Sequence, residues 1–536
     1  MWVIDYMWKR YLGLSKRKKE KDAIIKSFEE GDTTSSIKWN LIEIDWNISS
    51  KNISQHDKID DITWNDLEMD QLYCKMNNCK SFTGDQILYS TLHKSGNGNT
   101  LFQKKIDFFT SNSSDRYEIW YIISRLGKKE DSYYLPAFIS NMDAFKIPHI
   151  EYYRLMRALL FLSVIPAIVY LNYIYLMFTL FVGVINIVIY TFQKNRYEAY
   201  LNMLSGVLGI MQTAKQIAGT PSLDYEKEFH DLNDKVVIFK KLYSKIRKLQ
   251  FRAPSNLYGD TMTLLESFTF GATLWDLIQY DKVMNQLIGH QKYLMALYKT
   301  IGEIDAAICI ASFRNRMPLH CTPEFSENNE IIAEDIYHPL VLNPIYNSIS
   351  IKKGCMITGS NASGKSTFIK ALAVNTLLAQ SIYTCMAKKM VIPRMTIITS
   401  MAVRDEVLSG ESYYIKEIKY MKRIIQALNE RKPVLCVIDE ILRGTNTAER
   451  IAASVAILEY LYEKNCIAVV ATHDIELTGL LKDYYENYHF TEYIEDKKIV
   501  FEYKLHTGPA TSRNAIRLLE YMDFPEQIIK KARTMT

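Results

Sequence analysis

Glycine and proline are scarce in this 536-residue chain, 21 and 13 residues respectively, which excludes collagen-like and low-complexity architectures. The eight cysteines (Cys74, Cys79, Cys309, Cys321, Cys355, Cys385, Cys436 and Cys466) include no CxxC pair and no histidine at zinc-finger spacing. No structural metal is therefore expected. Cys74 and Cys79 read as core thiols, and several others sit in apolar runs, the usage of a reduced intracellular protein. An excess of one charge is also lacking: 65 Lys and Arg stand against 60 Asp and Glu, a balance that by itself predicts no nucleic-acid partner. The first twenty residues have no continuous apolar stretch of the kind a secretory signal needs. What is present, 48% apolar and 23% charged residues, is the composition of a folded chain of roughly three or four domains.

One run stands out. Residues 158–193 carry no charge; as one helix they would extend about 54 Å, against a hydrocarbon core of about 30 Å. Two spans of about seventeen residues, turning near Leu171-Asn172-Tyr173, fit better. Arg154 and Arg157 precede the run and Lys194 and Arg196 follow it, so both flanks are expected on the cytoplasmic side. Pro166 would kink the first span, which lipid-embedded helices tolerate. A buried hairpin in a soluble core is the alternative, but soluble helices of this length normally carry a charged face. The expectation is a multi-pass membrane protein with cytoplasmic soluble domains. At the N-terminus, Trp2, Tyr6 and Trp8 beside Lys16, Arg17, Lys18 and Lys19 fit equally an arm lying on an anionic membrane or a solvated basic arm.

Composition divides the rest. Residues 1–60 read as a basic arm and an irregular polar segment. Residues 61–153 begin a helical core, with a Thr63 cap followed by Leu67, Leu72 and Met76 at helical spacing. The hairpin occupies 154–197, and a strongly helical core or lever follows over 198–329. From about 330 to 536 the pattern changes to short apolar strands separated by helices. Cys355–Thr358, Val434–Ile438 and Ile467–Ala471 each end at a polar cluster, as buried parallel strands do when function sits at their C-terminal ends. The fold class is thus α plus α/β.

The first of these strands leads into Gly359-Ser360-Asn361-Ala362-Ser363-Gly364-Lys365-Ser366, a full G-x-x-x-x-G-K-[ST] opening a helix, the context that confirms a P-loop. Its glycines let backbone amides wrap phosphates; Gly359, Asn361, Gly364, Lys365, Ser366 and Thr367 are the candidate nucleotide contacts. Lys365 would reach the β- and γ-phosphates of ATP, and the Ser366 hydroxyl would bind Mg²⁺. The second strand delivers Asp439, suited to the same Mg²⁺, and Glu440, suited to polarise the attacking water as general base. The third ends at His473, placed to hydrogen-bond the γ-phosphate or orient that water.

With these residues in view, the runs TGSNASGKST, SGESYY, VIDEILRGTNTAER and VATHDIEL resemble the ATPase domain of the MutS mismatch-repair family in content, order and spacing. Tyr337-His338-Pro339 upstream, and TGPATSRNAIRLLEYMDFPEQIIKKAR downstream, extend the likeness. MDQLYCKMNNCKSFTGDQILYSTL and EIDAAICIASF resemble more weakly the start and end of the MutS helical core. The resemblance implies a homodimer with composite sites: Ser409, Gly410 and Ser412 match the loop that reaches the partner's ATP, and Arg443-Gly444-Thr445 match the loop after the acidic pair. A solvated Ser/Gly turn is the plain alternative for residues 409–412. The sequence also departs from the family. No Phe-x-Glu mismatch wedge stands in the expected place, the letters Phe325-Ser326-Glu327 lying just before the ATPase domain. Ser360, Ala362 and Ser363 replace the usual Pro, Met and Gly, Leu442 replaces a usual Gly, and little room follows Arg533 for a dimerising tail. The pattern looks like the membrane-anchored, shortened bacterial relatives of MutS: a MutS-like helical core interrupted by a transmembrane hairpin, then a P-loop (ABC-type) NTPase.

Two functions follow. One is a membrane-tethered, MutS-like ATPase hydrolysing ATP with Mg²⁺ to drive clamp-like motion. It would grip DNA without reading mismatches, through Lys235, Lys240, Lys241, Lys245, Arg247, Lys248 and Arg252. The other is a membrane mechanochemical ATPase acting on a protein or lipid partner without DNA. A transporter half, suggested by Leu408-Ser409-Gly410-Glu411-Ser412, is disfavoured, because two short spans are too few for a translocation path.

Overall fold

Short apolar runs bounded by turn residues become buried strands, and here they build the sheets that position the candidate site. The computed structural model describes residues 2–32, 37–95, 100–220, 229–248, 269–360, 363–401, 413–428, 432–495, 498–510, 522 and 524–535. The chain forms two units, neither contiguous in sequence: residues 1–51, 78–89 and 104–309 make one, and 52–77, 90–103 and 310–536 the other. This interleaving differs from the linear succession of domains that composition suggests.

The second unit holds ten described strands: β1 (Glu324–Phe325), β2 (Ile331–Ile336), β3 (Asn347–Ile351), β4 (Gly354–Thr358), β5 (Lys389–Ile392), β6 (Thr396–Ser400), β7 (Val434–Asp439), β8 (Cys466–Ala471), β9 (Glu486–Glu495) and β10 (Lys498–Thr507). β1, β5, β2 and β3 form a small sheet, and the main sheet runs β10-β9-β4-β8-β7-β6. All of its neighbours pair in parallel except the β9–β10 hairpin. The three motif strands β4, β7 and β8 match the sequence expectation to within a residue at each end. Every residue of β4 and β8 is buried, and on one face Met356, Cys436, Ile438 and Val470 pack with Met421, Ile424 and Leu458 of flanking helices. The start of this unit corrects one expectation: Thr63 is not the helix cap. Asp60 caps the Asp61–Asp66 helix, accepting from the Thr63 amide at 2.7 Å, and Thr63 itself is buried inside the helix. Asp66 then accepts from Thr399 Oγ1 (2.6 Å) and the Met401 amide (3.1 Å), fixing the end of β6.

The named elements of the first unit are all helices among its described residues, and most of residues 2–51 is not irregular. Helices Trp2–Glu30 and Trp39–Ser49 occupy most of that segment. A polar composition hid a narrow apolar stripe: Ile24 and Phe28 are buried, and Phe28 meets Tyr117 and Trp120 edge-on at 5.8 and 6.0 Å. Arg17 and Lys21 of the same helix both pair with Glu118. At the unit's centre the carboxylate of Asp305 is fully buried. It accepts from the Ser81 amide (2.8 Å), Ser81 Oγ (2.6 Å) and Trp120 Nε1 (2.8 Å). Burial pushes its ionisation above the usual carboxylate range, with those hydrogen bonds opposing.

Two helices of this unit, Ile150–Tyr170 and Tyr173–Ala218, meet at the expected turn, with Leu171 and Asn172 between them. The first runs through Pro166, and the second continues unbroken past residue 197, where a boundary was expected. Both are long and apolar enough to cross a membrane, and only 11% and 17% of their most apolar stretches is buried within the protein. Thr179 Oγ1 ties them together by donating to the Ser163 carbonyl at 2.9 Å.

Close helix approach elsewhere in the unit depends on missing side chains. A Cβ on Gly302, in the Gln291–Arg316 helix, would lie 2.4 Å from Ile87 Cγ1 and 2.8 Å from the Thr83 carbonyl oxygen. Alanine gains up to about 1 kcal/mol over glycine within a helix, but overpacking against a backbone atom costs about 1–3 kcal/mol. Gly302→Ala is therefore expected to lower unfolding stability by about 1–2 kcal/mol in denaturant titration. A variant as stable as the parent would show that the helices part freely.

Candidate active site

The order β4-β8-β7 puts three strand ends side by side. Register makes them level: Ile357 lies opposite Ala471, and Ala471 opposite Asp439. Loops leaving these three residues must therefore share one patch above the sheet. β8 lies in the middle, so His473 falls between the β4 loop and the acidic pair.

The β4 loop turns on two glycines of positive φ, Gly359 (+147°) and Gly364 (+106°), conformations that strain any residue with a Cβ. A Cβ on Gly359 would also approach the Phe490 carbonyl oxygen and Ser363 Oγ to 2.9 Å. The Lys365–Ile382 helix begins without a side-chain cap, leaving its first-turn amides free to meet an anion. Lys365 is buried, and its Nζ donates to the carbonyls of Gly359 (2.8 Å) and Ser360 (2.7 Å). Burial brings its ionisation down to about 8, with Asp439, Glu440 and Glu492 pulling the other way. Ser366 and Thr367 are exposed at the helix start.

Beyond β7 the backbone is strained. Glu440 has φ +64° and Leu442 +52°, each costing roughly 1–2 kcal/mol for a residue with a side chain. The turn is held by the Glu440 amide donating to the Ala471 carbonyl at 2.9 Å. One carboxylate oxygen of Glu440 meets His473 Nε2 at 3.0 Å and the other pairs with Arg443. Burial alone would raise the Glu440 ionisation, but His473, Arg443 and Lys365 together hold it below the usual range. His473 Nε2 also lies 3.5 Å from Lys365 Nζ, so the amine, imidazole and carboxylate form one row. Asp474, next in the chain, accepts a two-pronged contact from Arg450 at 2.9 and 2.7 Å, which fixes the turn that carries His473.

Flanking the loop is a cavity of about 240 Å³ whose lining includes Thr367, Phe368, Phe490, Tyr503, Ile345 and His338. His338 is buried, and that burial brings its ionisation down to about 4. Its Nδ1 accepts from the Leu340 amide at 3.3 Å, while Nε2 has no partner among the described residues. The neutral ring thus carries its proton on Nε2.

Residues 355–536 match MutS domain V, the ATPase domain of that family. The chain is similar to the DNA mismatch repair protein MutS of Geobacillus sp. (strain WCH70), 30% identical over 253 residues, which are 45% of this chain and 29% of that protein. The Thermotoga maritima protein of the same name is 30% identical over 263 residues, 47% of this chain and 33% of its own length. That of Listeria monocytogenes serotype 4b is 28% identical over 268 residues, 47% and 31%. The C-terminal part of this chain, residues 355–536, is a MutS domain V. The chain spans about a third of the length of the curated relatives it matches.

Within this MutS-family site, Gly359, Gly364, Lys365, Asp439, Glu440 and His473 gather at the level strand ends, with Ser366 and Thr367 on the first helical turn. Asn361, Ser409, Gly410 and Ser412 lie outside the described residues. Leu442, where the family usually has glycine, occupies a left-handed position, so the departure is one of strain and not of geometry. Sequence reasoning passed over Glu417. Its carboxylate is buried and accepts from the backbone amides of Arg443 (3.3 Å) and Gly444 (3.2 Å). The signal was a lone acid on an apolar helical face, since Glu417, Met421, Ile424 and Leu428 repeat at four, three and four and are all buried.

Removing that acceptor leaves two amides unpaired beside the strained turn, an effect of about 2 kcal/mol. Glu417→Ala is expected to lower the melting temperature and to speed amide hydrogen exchange at residues 443–444 before other parts of the sheet. Unchanged exchange there would mean the turn holds itself.

Proposed function

We propose that this chain is a membrane-tethered MutS-type ATPase that hydrolyses ATP with Mg²⁺. The observation that carries the reading is the row Lys365, His473 and Glu440 at the level ends of β4, β8 and β7, above an uncapped helix start. The uncapped first-turn amides and the Gly359–Gly364 turn suit a triphosphate. Lys365 would leave the carbonyls of its own loop for the β- and γ-phosphates. The adjacent apolar cavity, with a free Nε2–H donor on His338, suits the purine ring. Ser366 and Asp439 would be the oxygen donors for magnesium, which when bound would neutralise phosphate charge.

Glu440 stays ionised at neutral pH because His473, Arg443 and Lys365 surround it. An ionised carboxylate at the strand end would accept a hydrogen bond from the attacking water and so direct the water oxygen's lone pair at the phosphorus, with His473 fixing the carboxylate by its Nε2–H. Asn361 would add to the cradle. Ser409, Gly410 and Ser412 would complete the site of a second copy, making the working form a homodimer whose clamp-like motion follows nucleotide state. The exposed apolar helix pair is the tether. Ile150–Tyr170 has 21 residues, about the thickness of a hydrocarbon core, and Tyr170, Tyr173 and Tyr175 cluster at its turn, where aromatic rings favour an interface.

A second reading keeps the engine and replaces DNA by a partner in the membrane. The low burial of the apolar helices, 11% and 17%, supports the tether that both readings share. Of the seven cations expected to grip DNA, Lys235 donates to Thr300 Oγ1 at 2.8 Å, and the side chains of the others lie outside the described residues.

Two outcomes follow. Lys365→Ala should abolish Mg-ATP binding, whereas Glu440→Gln should bind ATP and lose about 100-fold in turnover; equal turnover by Glu440→Gln and the parent would remove Glu440 from the chemistry. The full chain should also resist extraction from membranes by alkaline carbonate and yield to detergent, with both variants fractionating alike. Release by carbonate would sink the tether. Duplex and branched DNA added to the turnover assay at two salt concentrations separate the two readings, since phosphate gripping must weaken steeply with salt.

A further inference from the structure

Six of the eight cysteines stand in pairs close enough for their thiols to interact: Cys79 with Cys309, Cys436 with Cys466, and Cys321 with Cys385. Both members of the first two pairs are buried. The third differs, because Cys385 is buried and Cys321 is half-exposed. These two residues face each other across an isolated antiparallel bridge and exchange both backbone hydrogen bonds, each at 2.9 Å. Residues paired in this way have Cα atoms about 5.5 Å apart, inside the range of roughly 4.4–6.8 Å that disulfides span. The Cys385 thiol beside it, then the Met390 amide and Arg314, hold the Cys321 thiol below its ordinary ionisation, against a smaller effect of burial. Burial pushes the Cys385 thiol well up. An accessible, more acidic thiol thus sits against a sequestered one, the pairing of an attacking and a resolving cysteine.

We propose that Cys321 and Cys385 are a reversible oxidation site that closes to a disulfide when the protein meets hydrogen peroxide. The Cys321 thiolate attacks one peroxide oxygen: an S–O bond forms, the O–O bond breaks, and the departing hydroxide takes a proton to become water. The Cys385 sulfur then attacks the sulfenic sulfur. The S–S bond forms, the S–O bond breaks, and the leaving hydroxyl takes the Cys385 proton as a second water. Two thiols have lost two electrons, and one peroxide has been reduced to two waters. A bridge between directly paired strands is under strain and so open to reduction by small thiols.

The position gives the bond a consequence. Arg314, in the last turns of the Gln291–Arg316 helix, donates to Thr384 Oγ1 and to the Tyr383 carbonyl, both at 2.8 Å. Tyr383 closes the helix that starts at Lys365, in a left-handed conformation with φ +52°. The disulfide would add a covalent tie at this joint, fastening the far end of the phosphate-loop helix to the chain that follows Arg316. The proposal does not depend on the ATPase reading.

The test uses the purified full chain under native conditions, treated with graded hydrogen peroxide, blocked with iodoacetamide and digested for mass spectrometry. The expected result is a Cys321–Cys385 linked peptide lacking two hydrogens, accumulating first and lost on dithiothreitol treatment. Cys79, Cys309, Cys436 and Cys466 should remain reduced throughout. Cys385→Ser should leave a Cys321 sulfenic acid that dimedone traps, while the parent yields little dimedone adduct. Overoxidation of Cys321 without the linked peptide would overturn the proposal, and so would linkage of the buried pairs at the same peroxide dose. The parent protein decides the matter alone if the variant fails to fold.

Discussion

The geometry of this protein's candidate site depends on register. Ile357, Ala471 and Asp439 stand opposite one another across three parallel strands, and each motif lies at or just beyond them. A slip of one residue in any of the pairings would turn every side chain of that strand to the other face. It would bury charge in the sheet and lift a motif out of the row. The strands are buried along nearly their whole length, so the hydrophobic effect that stabilises the sheet also forbids the slip. The geometry of the candidate site is here a by-product of core burial.

Strain is concentrated at the same place. Glu440 and Leu442 both adopt left-handed backbone, and glycine at the second position would relieve it. The structure answers with three restraints: the Glu440 amide on Ala471, the Glu417 carboxylate on two successive amides, and the Arg443 side chain folded back on Glu440. Glu417 lies on the helix that follows residues 402–412, the stretch containing Ser409, Gly410 and Ser412. Any displacement of that helix must therefore be felt at the turn carrying Glu440, since two of the turn's amides have their acceptor there. A contact between a partner's phosphate and residues 409–412 would have a short mechanical route to the acidic pair.

Legibility in the sequence followed the strength of the local physics. The β4, β7 and β8 strands could be read almost to the residue because an apolar run ending in polar residues has few other solutions, and the glycine-rich loop because its spacing leaves little freedom. The hairpin turn at Leu171-Asn172 was equally plain from length alone. The helix Trp2–Glu30 was missed because, among its described side chains, the buried apolar residues are only Ile24 and Phe28, within a strongly charged segment. Asp60 was missed as a cap because Thr63 offered a competing hydroxyl, and only tertiary burial decides between them. Glu417, Arg450 and Asp474 act through contacts 24 to 27 residues away, and no local pattern encodes such a contact. Interleaving of segments 52–77 and 90–103 with the sheet-bearing unit is a property of the folded chain and left no compositional trace.

The apolar helix pair makes the strongest demand on the protein's surroundings. Leu162, Ile168, Val169, Leu171, Phe181 and Phe192 each expose more than half of their surface. At about 25 cal/mol per Å² of apolar area, one large side chain left in water forgoes roughly 1.5–3 kcal/mol. Many such residues in one continuous band therefore forgo a burial gain larger than the whole margin of stability of a typical domain, about 5–15 kcal/mol. Scattered surface leucines are ordinary, but a contiguous band of this extent is not. Within the band the Thr179 hydroxyl finds its acceptor inside the helix pair, on the Ser163 carbonyl, while Asn186 donates to the Ala272 carbonyl at 2.8 Å; hydrocarbon imposes such pairing on the polar atoms of a spanning segment. On the reading proposed above, such a band would hold the nucleotide cycle of MutS domain V at a fixed place, so that whatever it moves would be delivered to the membrane or already reside there.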